Sequence, residues 1–259
     1  EWKHAAECAE KDVTVILGAG FDPGVVNAYA ALAKNDYFDK VTDVDIVDIN
    51  AGSHGKYFAT NFDPEINFRE FTGVVYSWQN GEWQTNKMFH SLAKNMDGAD
   101  VRFWMGFGDH YINVFTVLKS IGLLSEQPVK LANGDEVVPL KVVKACLPDP
   151  ASLAPEYTGK TCIGDFVKGT KDGVEREVFI YNVADHKDAY NEVGSQGISY
   201  TAGVPPVAAA MLVATGEWDV KKMANVEELD PKPFLNILNH NGLPTRIKDA
   251  DGDRALDFS

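Results

Sequence analysis

The sequence contains little cysteine, and its three cysteines lie far apart. Cys8, Cys146 and Cys162 form no C-x-x-C pair, so the sequence predicts neither a zinc site of that type nor a disulfide framework. An odd number of widely spaced cysteines favours a reducing compartment, and we expect a cytoplasmic protein whose cysteines act as small buried hydrophobes.

Long apolar runs and positive charge are also scarce. No apolar run approaches the length of a membrane span and no signal peptide is apparent in the 259 residues, so we expect no membrane partner. Lys and Arg number 24 against 38 Asp and Glu, which gives a formal net charge of −14. This balance disfavours nucleic acid as a partner and is compatible with a cationic substrate.

Two catalytic patterns are absent as well. The six histidines share no H-x-x-x-H spacing, so no metal site is predicted. No G-x-S-x-G string supports a serine hydrolase. The hydrophobic share of 45% is enough for a sizeable core, and no repeat or low-complexity segment divides the chain. We therefore expect one domain.

The most informative segment present is an apolar run that leads into a glycine turn. Residues 13–17 are a predicted strand, and Gly18-Ala-Gly-Phe-Asp-Pro-Gly24 precedes a helix. The glycine spacing differs from the G-x-G-x-x-G dinucleotide fingerprint. Asp22 would repel phosphate and Pro23 lacks an N–H, so these residues favour a helix N-cap and first helical position. The turn is expected to meet a ligand other than phosphate.

The remaining pattern predicts an α+β fold with a mixed, largely antiparallel sheet packed against helices. Further strands are expected at 41–49, 68–78, 161–167 and 177–183. Helices are expected at about 24–35, 86–96, 108–121 and 207–215, the last opened by residues 203–206. Asn80-Gly81 and Asn133-Gly134 are predicted hairpin turns.

Several longer strings carry a family resemblance. Besides the glycine turn, they include Asp48-Ile-Asn-Ala-Gly52, Arg102-Phe-Trp-Met105, Tyr181-Asn-Val-Ala-Asp-His186 and Gly194-Ser-Gln-Gly-Ile-Ser-Tyr-Thr-Ala-Gly-Val-Pro205. Together they resemble the carboxynorspermidine and carboxyspermidine dehydrogenases of the saccharopine dehydrogenase-like family. The resemblance runs from about residue 1 to residue 247. Family members have a longer proline-rich segment after the position of Trp83.

The resemblance implies a domain organisation and an activity. Residues 1–247 would be the second domain, which binds substrate and forms a homodimer, and residues 248–259 a C-terminal tail. A nucleotide-binding domain for NADPH is expected to precede them. The implied reaction joins a diamine, putrescine or diaminopropane, to aspartate β-semialdehyde through an imine that NADPH reduces. Two alternatives are a saccharopine or homospermidine pathway dehydrogenase of the same family and a non-catalytic dimerisation module.

The resemblance also implies where the cofactor and substrates bind. Phe21, Asp22, Pro23 and Gly24 are the candidate nicotinamide contacts, with a plain helix start as the alternative. Arg69 fits a bidentate carboxylate contact, with a surface pair to Glu70 as the alternative. The other candidate substrate contacts are polar residues of predicted loops: Asn50, Gly52, Thr60, Asn61, Asn67, Ser195 and Gln196.

Three residues are candidates for proton transfer. His54 fits a proton shuttle during imine formation, and the alternative is a solvated loop histidine. Asp185 and His186 follow a predicted strand, where the carboxylate would raise the pKa of the imidazole of a general acid. The alternative for this pair is a structural turn.

Overall fold

A computed structural model describes residues 1–72, 77–79, 82–84, 92, 95, 96 and 98–259. The helices are α1 (Ala5–Glu10), α2 (Val25–Leu32), α3 (Pro64–Thr72), α4 (Asp109–Ser120), α5 (Pro139–Cys146), α6 (His186–Val193), α7 (Gly197–Thr215) and α8 (Pro231–His240). The strands are β1 (Val15–Leu17), β2 (Lys40–Ser53), β3 (Ser77–Gln79), β4 (Glu82–Gln84), β5 (Asp100–Gly106), β6 (Val129–Lys130), β7 (Glu136–Val137), β8 (Thr158–Lys171), β9 (Val174–Asp185), β10 (Met223–Asn225), β11 (Arg246–Asp249) and β12 (Gly252–Ala255). A π-helical segment, Ala33–Tyr37, continues α2, and short 3₁₀ segments lie at Trp2–His4, Pro150–Glu156 and Val226–Glu228.

The main sheet has the strand order β12-β11-β9-β8-β2-β5-β3-β4. β2 and β5 run parallel, with Val44 opposite Val101, and the other neighbours are antiparallel. The predicted α+β class, with a mixed and largely antiparallel sheet packed against helices, is therefore confirmed.

The core lies on one face of this sheet. Val44 and Ile46 of β2 are fully buried and belong to the same apolar cluster as α2, all of whose residues are buried. A strand sends successive side chains to opposite faces, so alternate residues of β2 face away from this core. The opposite face leaves Ile49, Trp104 and Phe166 exposed.

A smaller lobe packs around a second apolar cluster. Helices α3, α4 and α5 contribute Phe68, Phe115, Leu140 and Val143 to it. The hairpin β6–β7 precedes α5 in this lobe. The lobe matters for function because it places one side of α3 against the main sheet's core face, as described below.

A separate pair of strands flanks the glycine turn. β1 runs parallel to β10, with Val15 opposite Met223 and Leu17 opposite Asn225. β1 ends at Gly18, where the turn begins, and α2 follows the turn. The two strands lie outside the main sheet.

Most predicted elements are confirmed. β2 covers the predicted strand 41–49, β8 and β9 cover 161–167 and 177–183, and α4 matches the predicted helix 108–121. Asn133-Gly134 lies between the paired strands β6 and β7, as predicted. Asn80-Gly81 and most of the predicted helix 86–96 lie outside the described residues.

The strand predicted at 68–78 is wrong over its first half, which belongs to α3. Asp63 accepts hydrogen bonds from the N–H groups of Glu65 and Ile66 at 2.9 and 3.3 Å, and Pro64 is the first helical residue. Asp63 is therefore the N-cap of α3, and a proline follows it at the first helical position. The residues at and after the cap therefore specify a helix more strongly than the aromatic content of the segment specifies a strand.

Two further boundaries differ from prediction. The residue that caps α2 is Gly24, whose N–H donates to Asn27, so the prediction of Asp22 as N-cap is wrong. α7 begins at Gly197 rather than at residues 203–206, and its two prolines lie inside the helix. α7 is long and apolar enough to cross a membrane, by length and composition alone. The core helices of other proteins meet the same two criteria, and Ala208 and Leu212 of α7 pack in the core.

Residues 248–259, expected to form a tail, extend the main sheet. Lys248 of β11 lies opposite Phe179 of β9, and β12 pairs with β11 as a hairpin. Leu256 and Phe258 pack against the main core.

Candidate active site

A cavity of about 1100 Å³ lies between the glycine turn, the ends of β2 and β5, and helices α3, α4 and α7. Much of its wall is apolar: Phe21, Phe62, Phe103, Met105, Ile163 and Ile198. Its polar wall groups include Asp22, Asp48, Arg69 and Glu70. An apolar cleft with a few convergent polar groups is typical of a small-molecule site.

The glycine turn is shaped by a close approach of its two ends. Gly24 has φ of 144°, and a Cβ added there would lie 1.9 Å from the carbonyl oxygen of Gly20. The N–H of Val25 donates to that same oxygen at 3.0 Å. Only glycine fits this conformation and spacing. Any side chain at position 24 would therefore open the turn that brings Asp22 into the cavity wall.

Three carboxyl groups share the cavity. Asp22 and Asp48 lie close to each other, and burial, followed by the charges of Asp48 and Glu70, raises the pKa of Asp22 well above its usual range. Burial raises the pKa of Asp48 to about 6. Burial, followed by the charge of Asp48, raises the pKa of Glu70 to about 7. Apolar walls penalise three adjacent negative charges, so the arrangement favours a positively charged ligand.

Sequence analysis missed two of these three acids. Asp48 follows Val44 and Ile46 at two-residue spacing, and a carboxylate on the buried face of a strand is a signal for a site. Glu70 lies on α3, where a strand was predicted, so its approach to the cavity was not foreseeable. The helix brings Ile66, Arg69 and Glu70 to one wall, as three- and four-residue spacing requires.

Arg69 lines the cavity, as a substrate contact requires, but its guanidinium already has partners. Its Nε donates to Glu126, and its Nη2 lies 3.5 Å from Glu65. The alternative prediction is a surface ion pair of Arg69 with Glu70. Among the described residues Arg69 pairs with Glu65 and Glu126, and no ion pair includes Glu70. A substrate carboxylate would therefore compete with Glu65 and Glu126 for Arg69.

A hydrogen-bond ring lies beside the cavity. Nε2 of His186 lies 2.8 Å from Oδ1 of Asn50, and Nδ2 of Asn50 donates to the Tyr157 hydroxyl at 2.6 Å. The Tyr157 hydroxyl donates to Oδ1 of Asn61 at 2.8 Å, and Nε2 of Gln196 donates to the Asn61 carbonyl. The N–H of Gly197 donates to Nδ1 of His186 at 3.1 Å, which closes the ring. Four predicted site residues thus meet around Tyr157, which sequence analysis missed.

The other candidate proton-transfer residues lie outside this ring. Asp185 caps α6 by accepting hydrogen bonds from the N–H groups of Lys187 and Asp188. The ring of His54 stands edge-on to Tyr157 at 5.6 Å, and burial lowers its pKa. Within the described part of the chain, no group of three His, Cys, Asp or Glu side chains is placed to hold a metal ion.

The remaining predicted substrate contacts have structural partners. Thr60 is buried and its hydroxyl donates to the Phe62 carbonyl at 2.8 Å. Asn67 is buried and accepts from the Tyr111 hydroxyl. Gly52 packs against Tyr157 and His186. Ser195 lines a different groove, between α6, α7 and α8.

Comparison with known proteins assigns a family. Residues 85–243 match the saccharopine dehydrogenase C-terminal domain family. Because this match covers more than half of the chain, the protein belongs to that family.

Three curated relatives are similar over nearly the whole chain. Carboxynorspermidine synthase from Vibrio alginolyticus is 46% identical over 275 residues, 97% of this chain and 66% of the relative. Carboxynorspermidine synthase from Vibrio cholerae is 45% identical, covering 94% of this chain and 64% of the relative. Carboxyaminopropylagmatine dehydrogenase from a Synechocystis species is 40% identical, covering 94% and 67%. The chain thus spans about two thirds of the length of these relatives.

One solved structure is similar in fold. It is homospermidine synthase from Legionella pneumophila in complex with NAD, with a TM-score of 0.56 and 9% sequence identity. The match covers 94% of this chain and 64% of that chain. At this identity the likeness shows the fold alone, and it confirms the saccharopine dehydrogenase-like fold expected from sequence.

Proposed function

We propose that this chain is the substrate-binding and catalytic part of an NADPH-dependent oxidoreductase that reductively condenses a diamine with aspartate β-semialdehyde. Family membership and the names of the three relatives support it. The observation that carries it is the group Asp22, Asp48 and Glu70 in an otherwise largely apolar cavity. A diamine combines cationic ends with an apolar carbon chain, and a purely dimerising module has no need of such a cavity.

In this proposal the carboxylates bind the amine and handle its protons. The ammonium group that attacks the aldehyde must lose a proton, and an ionised carboxylate of the Asp22–Asp48 pair accepts it. The amine nitrogen then bonds to the aldehyde carbon, and a proton passes from that nitrogen to the aldehyde oxygen, which becomes a hydroxyl. The carboxyl group returns its proton to the new hydroxyl, which leaves as water and forms a protonated imine. That cation is stabilised by the restored carboxylate in the apolar cavity.

The residues of this chain fit the reactive end of the cofactor and not its phosphates. Phe21, Asp22 and Pro23 line the cavity, so the proposed nicotinamide contact lies beside the carboxylates. NADPH, when bound, supplies the hydride for the imine carbon. The chain carries no G-x-G-x-x-G phosphate fingerprint. Within the described residues β1 pairs with β10 alone, and so short a parallel pair is typical of part of a larger sheet.

Calorimetry on this chain tests the proposed site. At about pH 8 putrescine or 1,3-diaminopropane is expected to bind, while 1,4-butanediol, which has hydroxyls in place of the ammonium groups, is not. NADPH alone is expected to bind poorly, because its phosphates lack a cradle. Equal binding of the diol and the diamine, or micromolar affinity for NADPH, would contradict the proposal.

Arg69 gives a second test, in a protein that joins this chain to a relative's nucleotide-binding domain. If Arg69 holds the aldehyde's carboxylate, Arg69→Ala should lower kcat/KM for aspartate β-semialdehyde by about 30- to 1000-fold, because a charge-assisted contact is lost. The KM of the diamine should change less. Arg254→Ala is the control, since Arg254 pairs with Asp249 at the sheet edge. An equal, less than about fivefold effect on both substrates would remove Arg69 from the site.

The proposed homodimer uses the exposed face of the main sheet. Trp104 is 57% and Ile49 45% exposed there, and Phe166 stacks on Phe179 beside them at 4.0 Å. Such an apolar patch on a sheet face is typical of a subunit interface. Light scattering at micromolar concentration should give twice the chain mass of 28.4 kDa, and Trp104→Glu should halve it. A wild-type monomer would rule the dimer out.

A further inference from the structure

The hydrogen-bond ring of Asn50, Asn61, Tyr157, His186, Gln196 and Gly197 has no place in the proton transfers above. We propose that it is a positioning device, which sets the N-terminus of α7 and the segment at Phe62 against the cavity. In it His186 acts as a neutral clamp and exchanges no proton with substrate. The kinetic part of this inference rests on the proposed function, and the structural part stands without it.

The hydrogen bonds of the ring run in one direction from Gly197 to Asn61, and Asn61 also accepts from Gln196. Nδ1 of His186 accepts from the N–H of Gly197, so the ring proton of a neutral imidazole is on Nε2 and points to Oδ1 of Asn50. Because Oδ1 of Asn50 is the acceptor, its Nδ2 is the atom that donates to the Tyr157 hydroxyl. The Tyr157 hydroxyl in turn donates to Oδ1 of Asn61. A proton on Nδ1 would point at the N–H of Gly197, so two donors would face each other. The geometry therefore holds His186 neutral.

Packing holds the imidazole in this orientation. His186 is fully buried, and its ring is stacked on Tyr157 with centroids 3.8 Å apart and planes 5° from parallel. Two glycines make room for the stack. A Cβ on Gly197 would lie 3.0 Å from Nδ1 of His186, and one on Gly52 would lie 2.3 Å from the Thr158 carbonyl and 3.1 Å from the Tyr157 ring.

The ring joins segments that form the cavity wall. Phe62 follows Asn61 in the chain, and Ile198 and Ser199 follow Gly197. Phe62, Ile198 and Ser199 all line the cavity. Asn50 lies two residues after Asp48 on the same face of β2. Breaking the ring would therefore free two walls of the cavity from the strand that carries Asp48.

Few titratable groups face His186. Asp185, next to it, would raise its pKa, but burial lowers the pKa more. The Asp185 carboxylate is engaged by two N–H groups of α6 and lies 3.8 Å from Lys160. Tyr157 is stacked on the ring, and His54 stands edge-on to Tyr157. Burial lowers the pKa of His54 and raises that of Tyr157. The charge of Asp185 favours an imidazolium, but burial outweighs it, so these surroundings favour the neutral ring.

Nuclear magnetic resonance of this chain tests the clamp directly. With ¹⁵N-labelled histidine, His186 should show the neutral Nε2–H form throughout the range from about pH 5 to pH 8. Hydrogen exchange at residues 197–201 should speed up in Tyr157→Phe and in Gly197→Ala. Gly203→Ala is the control in the same helix, because its Cβ would meet nothing within 4 Å. Titration of His186 near pH 6.5, or exchange that is unchanged in both ring variants, would overturn the clamp.

Kinetics then separate positioning from acid catalysis. In the protein with its nucleotide-binding domain, Tyr157→Phe and Gly197→Ala should lower kcat/KM for the diamine by about 10- to 100-fold through misplaced walls. The pH profile should keep the wild-type shape. Loss of one limb of that profile in His186→Phe, which keeps the stack, would instead make His186 a general acid. If the wild-type protein shows no diamine-dependent NADPH oxidation, the proposed function fails while the spectroscopic result still decides on the clamp.

Discussion

Asp48→Asn is expected to lower kcat/KM for the diamine by about 30- to 1000-fold in the protein joined to a nucleotide-binding domain. Removing one member of a desolvated charge pair costs about 2–4 kcal/mol, and each 1.4 kcal/mol is about tenfold. The loss should appear both as a higher KM for the diamine and as a lower kcat, because in the proposed site Asp48 contacts the cation and belongs to the pair that moves its protons. Steady-state kinetics with each substrate varied in turn measures it.

Asp43→Asn is the control for that change. Asp43 lies on the same strand, on its opposite face, where it accepts from Arg102 at 2.9 Å. Asp43→Asn removes one negative charge from β2, as Asp48→Asn does, so an effect of net charge alone would appear in both variants. A fall of less than about fivefold in Asp48→Asn, or an equal fall in Asp43→Asn, would remove Asp48 from the amine site.

The same site predicts a pH dependence. The pKa values of Asp48 and Glu70, raised by burial to about 6 and about 7, place their titration within the working range. As pH falls from about 8 to about 5 these groups take up protons and lose the charge that holds an ammonium ion, so the KM of the diamine should rise. Asp48→Asn should flatten part of that rise.

Asp165→Val is expected to raise the melting temperature at pH 8 by about 5–10 °C. Asp165 is fully buried on β8, between Ile46 of β2 and Ile180 of β9, and neither carboxyl oxygen has a partner within the described residues. Burial, followed by the charge of Asp22, raises its pKa well above the usual range. An unpaired buried polar group costs about 1–3 kcal/mol, and 1 kcal/mol moves the melting temperature of a protein this large by about 2–4 °C.

The sign of the pH effect follows from the raised pKa. The unfolded carboxyl ionises above about pH 4, while burial raises the pKa of the folded one, so wild-type stability falls as pH rises from about 4 towards the folded pKa. Asp165→Val lacks this loss of stability, so its gain in melting temperature over the wild type should be larger at pH 8 than at pH 5. Calorimetric melting at both pH values measures the difference.

Thr161→Val is the matched control for Asp165→Val. Thr161 lies on β8 four residues earlier, on the same face, and its buried hydroxyl also has no partner within the described residues. It carries no charge, so any gain from its removal should be the same at both pH values. If Asp165→Val destabilises the protein at pH 5 and pH 8 alike, the carboxyl has a role that this explanation misses.

The sequence predicted the elements that have strong local patterns. Alternating Val44 and Ile46 mark β2, and Asn133-Gly134 marks the hairpin between β6 and β7. Local pattern failed at α3, because the cap at Asp63 outweighs the aromatic content of the segment. It also failed at α7, where burial of Tyr200 and Thr201 keeps the chain helical well before its prolines.

The candidate site was predictable residue by residue and not as an arrangement. The resemblance selected Asn50, Asn61, His186 and Gln196 separately, and the fold brings together Asn50 and His186, 136 positions apart. Nothing in local spacing encodes such a contact. Tyr157 follows Pro155 and lies outside every strand and helix predicted from the sequence, so no local pattern points to it.

Product analysis tests the proposed function most directly. The chain, joined to the third of the Vibrio alginolyticus relative that lies outside the match, is incubated with diamine, aspartate β-semialdehyde and NADPH deuterated at the transferable position. We expect mass spectrometry to show the condensed secondary amine carrying one deuterium at the former aldehyde carbon. Absence of that product, under conditions where the intact Vibrio enzyme forms it, would contradict the proposed function.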